Sequence, residues 1–200
     1  MTMVGYFGIM SSRSPFVSID NIKFKPYCSP SPATPTDRDC IFMNIFILDG
    51  SAEKSARYHC DQHVIKMTLE SVQILCTALS QYGFDTPYKP THAKHPCVLW
   101  ATASYGNFLW LKKLALALNR EYKYRYKKNT DHKSISVLKQ LNGLRYEDRG
   151  MTPFVQAMPE QYRVPDDPVR AYRAYYIGEK LKFAKWRRRR TPLWINSNSR

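Results

Sequence analysis

The stretch Tyr58-His59-Cys60-Asp61-Gln62-His63-Val64-Ile65-Lys66-Met67-Thr68-Leu69-Glu70-Ser71-Val72-Gln73-Ile74-Leu75-Cys76 decides the fold. His59, His63, Lys66, Glu70 and Gln73 stand at offsets 0, 4, 7, 11 and 14, so at about 100° per residue they share one narrow helical face. Val64, Ile65, Leu69, Val72, Leu75 and Cys76 fill the neighbouring positions. The spacing predicts a helix from Ala52 to about Ser80, capped by Ser51, broken near Cys60 or Asp61 and stopped at Gly83.

A stripe that combines an imidazole pair, an ammonium, a carboxylate and an amide supplies what acid-base chemistry or anion capture needs. The competing explanation is an ordinary solvated face. Such a face in this basic chain should be rich in Lys and Arg, and this one is not. His59 and His63 could share a metal with Glu70 or with His92 and His95, but Lys66 in mid-stripe opposes a divalent ion, so no metal and no cofactor is expected. Asp61, off the stripe, is placed to orient a histidine or to cap a helix.

Upstream, the run Ile41 to Leu48 is apolar, β-branched and aromatic, and stops at Asp49-Gly50, which predicts one short strand or extended segment. Residues 1–42 read as an extension whose part 26–37, with Pro26, Pro30, Pro32 and Pro35 among Ser and Thr, is a linker. Downstream, Tyr88 to Pro96 is a loop, and a long helix is expected from Cys97 to Lys127. On it Trp100, Ser104, Asn107, Leu111, Leu114, Leu118, Glu121 and Arg125 share a face, polar at both ends; Asn107, Glu121 and Arg125 join the catalytic candidates. Residues 128–150 are more polar, and 152–168 form a Pro-punctuated loop. Asp167-Pro168 then opens a last helix reaching about Arg188. These elements predict a mainly α, compact helical domain over 43–194, with one short N-terminal strand, preceded by a Pro/Ser-rich extension and followed by a tail, 195–200.

The chain of 200 residues carries a formal charge of +15, distributed unevenly. Residues 1–111 carry 9 basic and 8 acidic side chains, whereas residues 112–200 carry 22 and 8. A field this lopsided favours a polyphosphate, and DNA is the expected partner. Lys123, Tyr124, Tyr126, Lys127 and Lys128 alternate phenols with cations, as do Tyr176 and Lys180 further on; both sets suit stacking on bases and pairing with phosphates. Arg187, Arg188, Arg189 and Arg190 are expected to contact phosphates without base specificity. Five cysteines without a C-x-x-C pair argue against a disulfide framework, and no apolar run predicts a membrane span or a secretory signal.

The segment beginning Met43-Asn44-Ile45-Phe46, then Tyr58 to Met67 with Glu70 and Gln73, resembles a family of small helical proteins of bacteriophages and other large DNA viruses. Thr91-His92 with His95-Pro96-Cys97, Glu121-Tyr122 with Tyr124-Arg125-Tyr126, Thr152-Pro153-Phe154 and Tyr175-Tyr176 carry the same resemblance. It is similar to the amino acid:DNA transferase group of thymidine hypermodification. That resemblance implies an enzyme in the infected host's cytoplasm that displaces phosphate from 5-phosphomethyl-deoxyuridine in DNA with a free amino acid. In such an enzyme we assign His63 or Glu70 as base, His59 as acid, and Lys66 and Arg125 as phosphate clamps. A non-enzymatic basic DNA-binding protein and a glycosylase- or nuclease-like enzyme are the alternatives.

Overall fold

The computed structural model describes residues 43–196; the extension, with its linker, lies outside them. α1 (Ala52–Tyr58) starts where Ser51 accepts the Lys54 N–H, and its first and last turns carry Glu53 and Arg57, matched to the helix dipole. The chain extends at His59 and Cys60 before α2 (Asp61–Gln81) begins. The break falls where the sequence places it. Tyr176 Oη accepts the Cys60 N–H at 2.8 Å and the Lys185 carbonyl accepts that of Asp61 at 2.8 Å, so distant segments satisfy the donors of the α2 start. Gly83, with φ of +80°, closes α2 in the left-handed conformation.

The helix expected over Cys97 to Lys127 is two. α3 (Pro96–Ala103) has proline in its first turn and is capped by the His95 ring, and α4 (Tyr105–Tyr126) follows a break at Ser104. Ser104 is extended, and its side chain caps Gly106. Asp148 Oδ1 also accepts the Gly106 N–H at 2.9 Å, and the Glu147 carbonyl accepts that of Tyr105 at 3.0 Å. A loop some forty residues downstream therefore fixes the break.

α5 (Ser134–Gln140) lies within the stretch read as merely polar. α6 (Pro168–Tyr175) starts as expected, with the Asp167 side chain accepting the Arg170 N–H. It does not run to Arg188: the coil widens to a π turn over Tyr176–Lys180, tightens to a 3-10 turn over Leu181–Phe183, and ends at Ala184. α7 (Leu193–Asn196) is a final turn.

α4 packs along α2 and α1, with α3 wedged beside them. Leu111, Leu114 and Leu118 of α4 are fully buried, each contributing about 1.5–3 kcal/mol. The expected strand is a correction: residues 43–48 are buried but pair in no ladder and turn at Phe46, φ 42°, and the described residues contain no strand. Side chains satisfy this backbone instead. Ser55 Oγ accepts the Leu48 N–H and donates to the Phe46 carbonyl, and Asn44 Oδ1 accepts the Ile45 N–H. Cys60 and Cys76 are buried free thiols and Cys97 is buried beside them in the core, and no helix of the described residues is long and apolar enough to cross a membrane.

Candidate functional site

Asn44 and α2 build the site. The Asn44 side chain turns inward, donating to the Ala157 carbonyl at 2.7 Å, which fixes the segment 43–48 against the loop before α6. Its backbone N–H is thereby aimed at α2, where Glu70 Oε2 accepts it at 3.1 Å. Lys66, one turn earlier, places Nζ 3.3 Å from Glu70 Oε1 while remaining largely exposed itself. Glu70 is only 5% exposed. Burial raises its pKa against the opposing pull of Lys66, the Asn44 N–H and His92, so this carboxyl holds a proton more readily than a surface glutamate.

Of the stripe, His59, His63 and Glu70 are turned into the protein, whereas Lys66 reaches solvent. His63 stacks on Phe46, ring centroids 4.6 Å apart, and meets Tyr176 and Phe183 edge-on. Burial, reinforced by His59, Lys180 and Lys66, lowers the His63 pKa to about 2, so the ring is neutral, and its Nδ1 has no hydrogen-bond partner among the described residues. His59 is fully buried as the C-cap of α1, its Nδ1 2.7 Å from the Ser55 carbonyl, and burial lowers its pKa to about 4. Gln73 continues along the helix, half-buried.

Lys180, on the π turn, stands over the Tyr175 ring at 4.8 Å. Burial lowers its pKa, with Lys66 and Lys182 adding to the fall and Glu179 opposing it. Lys66 and Lys180 thus set two cations against the neutral His63. Two non-glycine residues in the left-handed region border the same place, Phe46 at φ 42° and His92 at φ 49°. Such backbone is costly for bulky side chains and is concentrated at functional sites, as are π turns.

Asp61, Glu121 and Arg125 gather elsewhere. The Arg125 side chain has no exposed surface; it donates to Glu121 at 2.9 Å, Asp61 at 3.2 Å, and the carbonyls of His59 and Arg57 at 2.7 and 2.9 Å. Asp61 accepts the Arg187 N–H, and Arg189 grips Glu121 with two bonds of 3.0 and 2.7 Å. The network staples α1, α2 and α4 to residues 187–189. Asn107, fully buried, likewise bonds Trp100 and Thr152.

The residues expected to bind DNA are spread over different environments. Tyr176 is fully buried. Arg188 and Arg189 lie over the Tyr124 ring at 4.5 and 4.2 Å, and Arg187 over Tyr126 at 5.6 Å, so the phenols engage the chain's own guanidinium groups. Lys123 pairs with Asp131 at 3.2 Å. Lys127, Lys128 and Arg190 are exposed, with no ion pair among the described residues. Among those residues no group of three or more His, Cys, Asp or Glu is arranged to hold a metal.

Sequence reasoning missed Asn44 as a site residue. Its signal is a lone polar side chain inside an apolar run.

Residues 43–134 match the sequence model of a family described as pyrimidine dimer DNA glycosylase. The matched span contains Asn44, His63, Lys66 and Glu70, and leaves Lys180 and the C-terminal arginines outside it. No curated protein and no solved structure matches the chain.

Proposed function

We propose that this protein acts on DNA as a base-excision enzyme, breaking the N-glycosidic bond of a damaged pyrimidine, with Glu70 as the working carboxylate. The observation that carries this is the environment of Glu70: a buried carboxyl with raised proton affinity, held between the Asn44 N–H and the Lys66 ammonium, inside the span similar to pyrimidine dimer DNA glycosylases.

The chemistry follows from that placement. As the bond from C1′ to the base nitrogen breaks, its electron pair leaves with the base and positive charge develops on the sugar. Carboxylates stabilise such oxocarbenium-like states in glycoside cleavage generally. Glu70 then takes a proton from the water that attacks C1′, worth about 10²–10⁴-fold for a positioned base. Lys66 and Lys180 supply the cations that neutralise the flanking phosphates. A pyrimidine inside a duplex must leave the stack first, at a cost of a few kcal/mol that is smaller for a damaged base.

Amino acid transfer stands behind this reading. Arg125, assigned there as a phosphate clamp, is enclosed and fully occupied by Glu121, Asp61 and two carbonyls. The free amino acid is proposed as co-substrate only within that alternative, and the infected cell's cytoplasm rests on the motif resemblance. The test is direct: the protein is incubated with a duplex oligonucleotide carrying one cyclobutane pyrimidine dimer, and with its undamaged twin. Strand scission after alkali at the dimer alone supports the proposal; binding of both duplexes without scission makes the protein a DNA-binding module.

A further inference from the structure

A cleft of about 540 Å³ opens along α6. Val169, Arg170, Arg173, Ala174 and Ile177 line it, at spacings that place them on one helical face. Tyr172, Tyr175 and Tyr176 occupy the other side, buried. The volume falls in the range of small-ligand sites, about 300–1,000 Å³.

Its walls are chemically divided. Tyr162, Trp194, Val164, Val169 and Ile177 supply its aromatic and aliphatic lining, with the Arg173 guanidinium 5.5 Å over the Trp194 ring. Both rings are fixed: Tyr162 donates to Glu179 at 2.9 Å and packs on Tyr175, and Trp194 meets Tyr58 and Tyr176 edge-on. The charged lining is Arg163, Arg170, Arg173 and Asp167, and the Asp167 carboxylate is spent on the Arg170 backbone N–H at 2.9 Å. Arg173 is engaged, donating to the Leu48 carbonyl and reaching Asp49 at 3.5 Å, and Arg163 pairs with Glu160 at 2.6 Å. Arg170 is exposed and its side chain has no carboxylate partner among the described residues.

A ligand that satisfies both halves has a flat aromatic body and an anionic end. Aromatic walls suit the face of a base, and a guanidinium matches phosphate oxygens bidentately. We propose that this cleft binds a nucleoside monophosphate unit, its base against the Tyr162–Trp194 side and its phosphate on Arg170. None of the lining residues falls in the span matched by the glycosylase family, and the site is independent of the proposed base excision.

The unit comes either as a free nucleotide or as one residue of a DNA strand, and the test separates the two. The full chain is titrated with dTMP, thymidine, inorganic phosphate and pentathymidylate, with tryptophan fluorescence and calorimetry as readouts. The expected result is saturable dTMP binding, at least about tenfold weaker for thymidine and for phosphate, because each loses half of the recognition. Arg170→Gln, an exposed change, should weaken dTMP about tenfold while the thermal midpoint stays in place. Pentathymidylate displacing dTMP with higher affinity identifies a strand residue as the ligand; dTMP binding as tightly as the pentamer identifies the free nucleotide. No dTMP binding, phosphate binding as tightly as dTMP, or an unchanged dTMP affinity in Arg170→Gln overturns the proposal.

Discussion

Glu70 Oε2 stands 3.1 Å from the backbone nitrogen of Asn44, and this one hydrogen bond ties the middle of α2 to the buried segment 43–48. Asn44 in turn is tied to Ala157, so three parts of the chain distant in sequence are joined through Asn44. Such a contact positions a side chain more rigidly than a surface helix could.

Gly106 tests the break between α3 and α4. A Cβ there would meet the Gly150 carbonyl carbon at 2.7 Å and oxygen at 2.8 Å, both backbone atoms. Helix propensity alone favours alanine over glycine by about 1 kcal/mol. Gly106→Ala should nevertheless destabilise, by about 1–3 kcal/mol, because the 147–150 loop must move and Asp148 loses its grip on the helix start. Denaturant unfolding gives the sign; stabilisation would show that the loop is not docked there.

Arg125 should prove structural. Replacing it by Met leaves the largely buried carboxylates Asp61 and Glu121 without their shared cation. The expected cost is about 3–5 kcal/mol, read from the urea midpoint. A loss below about 0.5 kcal/mol would contradict the network described here.

How much of this was legible beforehand divides along the same line. The break at Cys60-Asp61, the Ser51 and Asp167 caps and the Gly83 stop are local features, and each stands where its residues predict. Glu70 was visible as an acid among apolar neighbours. The break at Ser104 was not, because it depends on Glu147 and Asp148. The enclosure of Arg125 was equally hidden: it depends on Arg57, His59 and Asp61, which lie 64 to 68 positions away. Alternating Tyr and Lys looks the same on paper whether the rings meet bases or, as at Tyr124, the chain's own arginines.

Acid should unfold the protein through its histidines. His59 and His63 are held neutral, with pKa values lowered from 6.5 to about 4 and about 2. The unfolded chain therefore binds protons that the native state refuses. The stability this contributes is complete above pH 6.5 and falls as pH drops toward 4, by about 1.4 kcal/mol per pH unit for each histidine. Glu70, its pKa raised, works in the opposite sense and offsets part of the loss. His95 and His132, also lowered by burial, add to the loss, so stability measured across this window should show a net proton uptake on unfolding that falls by about one in His63→Phe. A flat profile would contradict the burial of these rings.

Salt dependence should distinguish bound from available cations. Lys127, Lys128 and Arg190 are exposed without ion pairs among the described residues, so changing them to Gln should lower the log-log salt slope of DNA binding by about 0.9 for each side chain that meets a phosphate. Arg189 is committed to Glu121. Arg189→Gln should cost about 1–3 kcal/mol of stability and leave the slope nearly unchanged. An equal effect on the slope from both sets would place Arg189 on the DNA instead.

The most direct measurement is single-turnover glycosidic cleavage of a dimer-containing duplex by Glu70→Gln, read as alkali-labile strand scission, with DNA affinity and unfolding followed on the same sample. The amide keeps the size and the bond to Asn44 but cannot take up the proton. Cleavage slowed about 10²–10⁴-fold, with affinity and fold retained, is the predicted result. Cleavage at the wild-type rate would remove Glu70 from the chemistry.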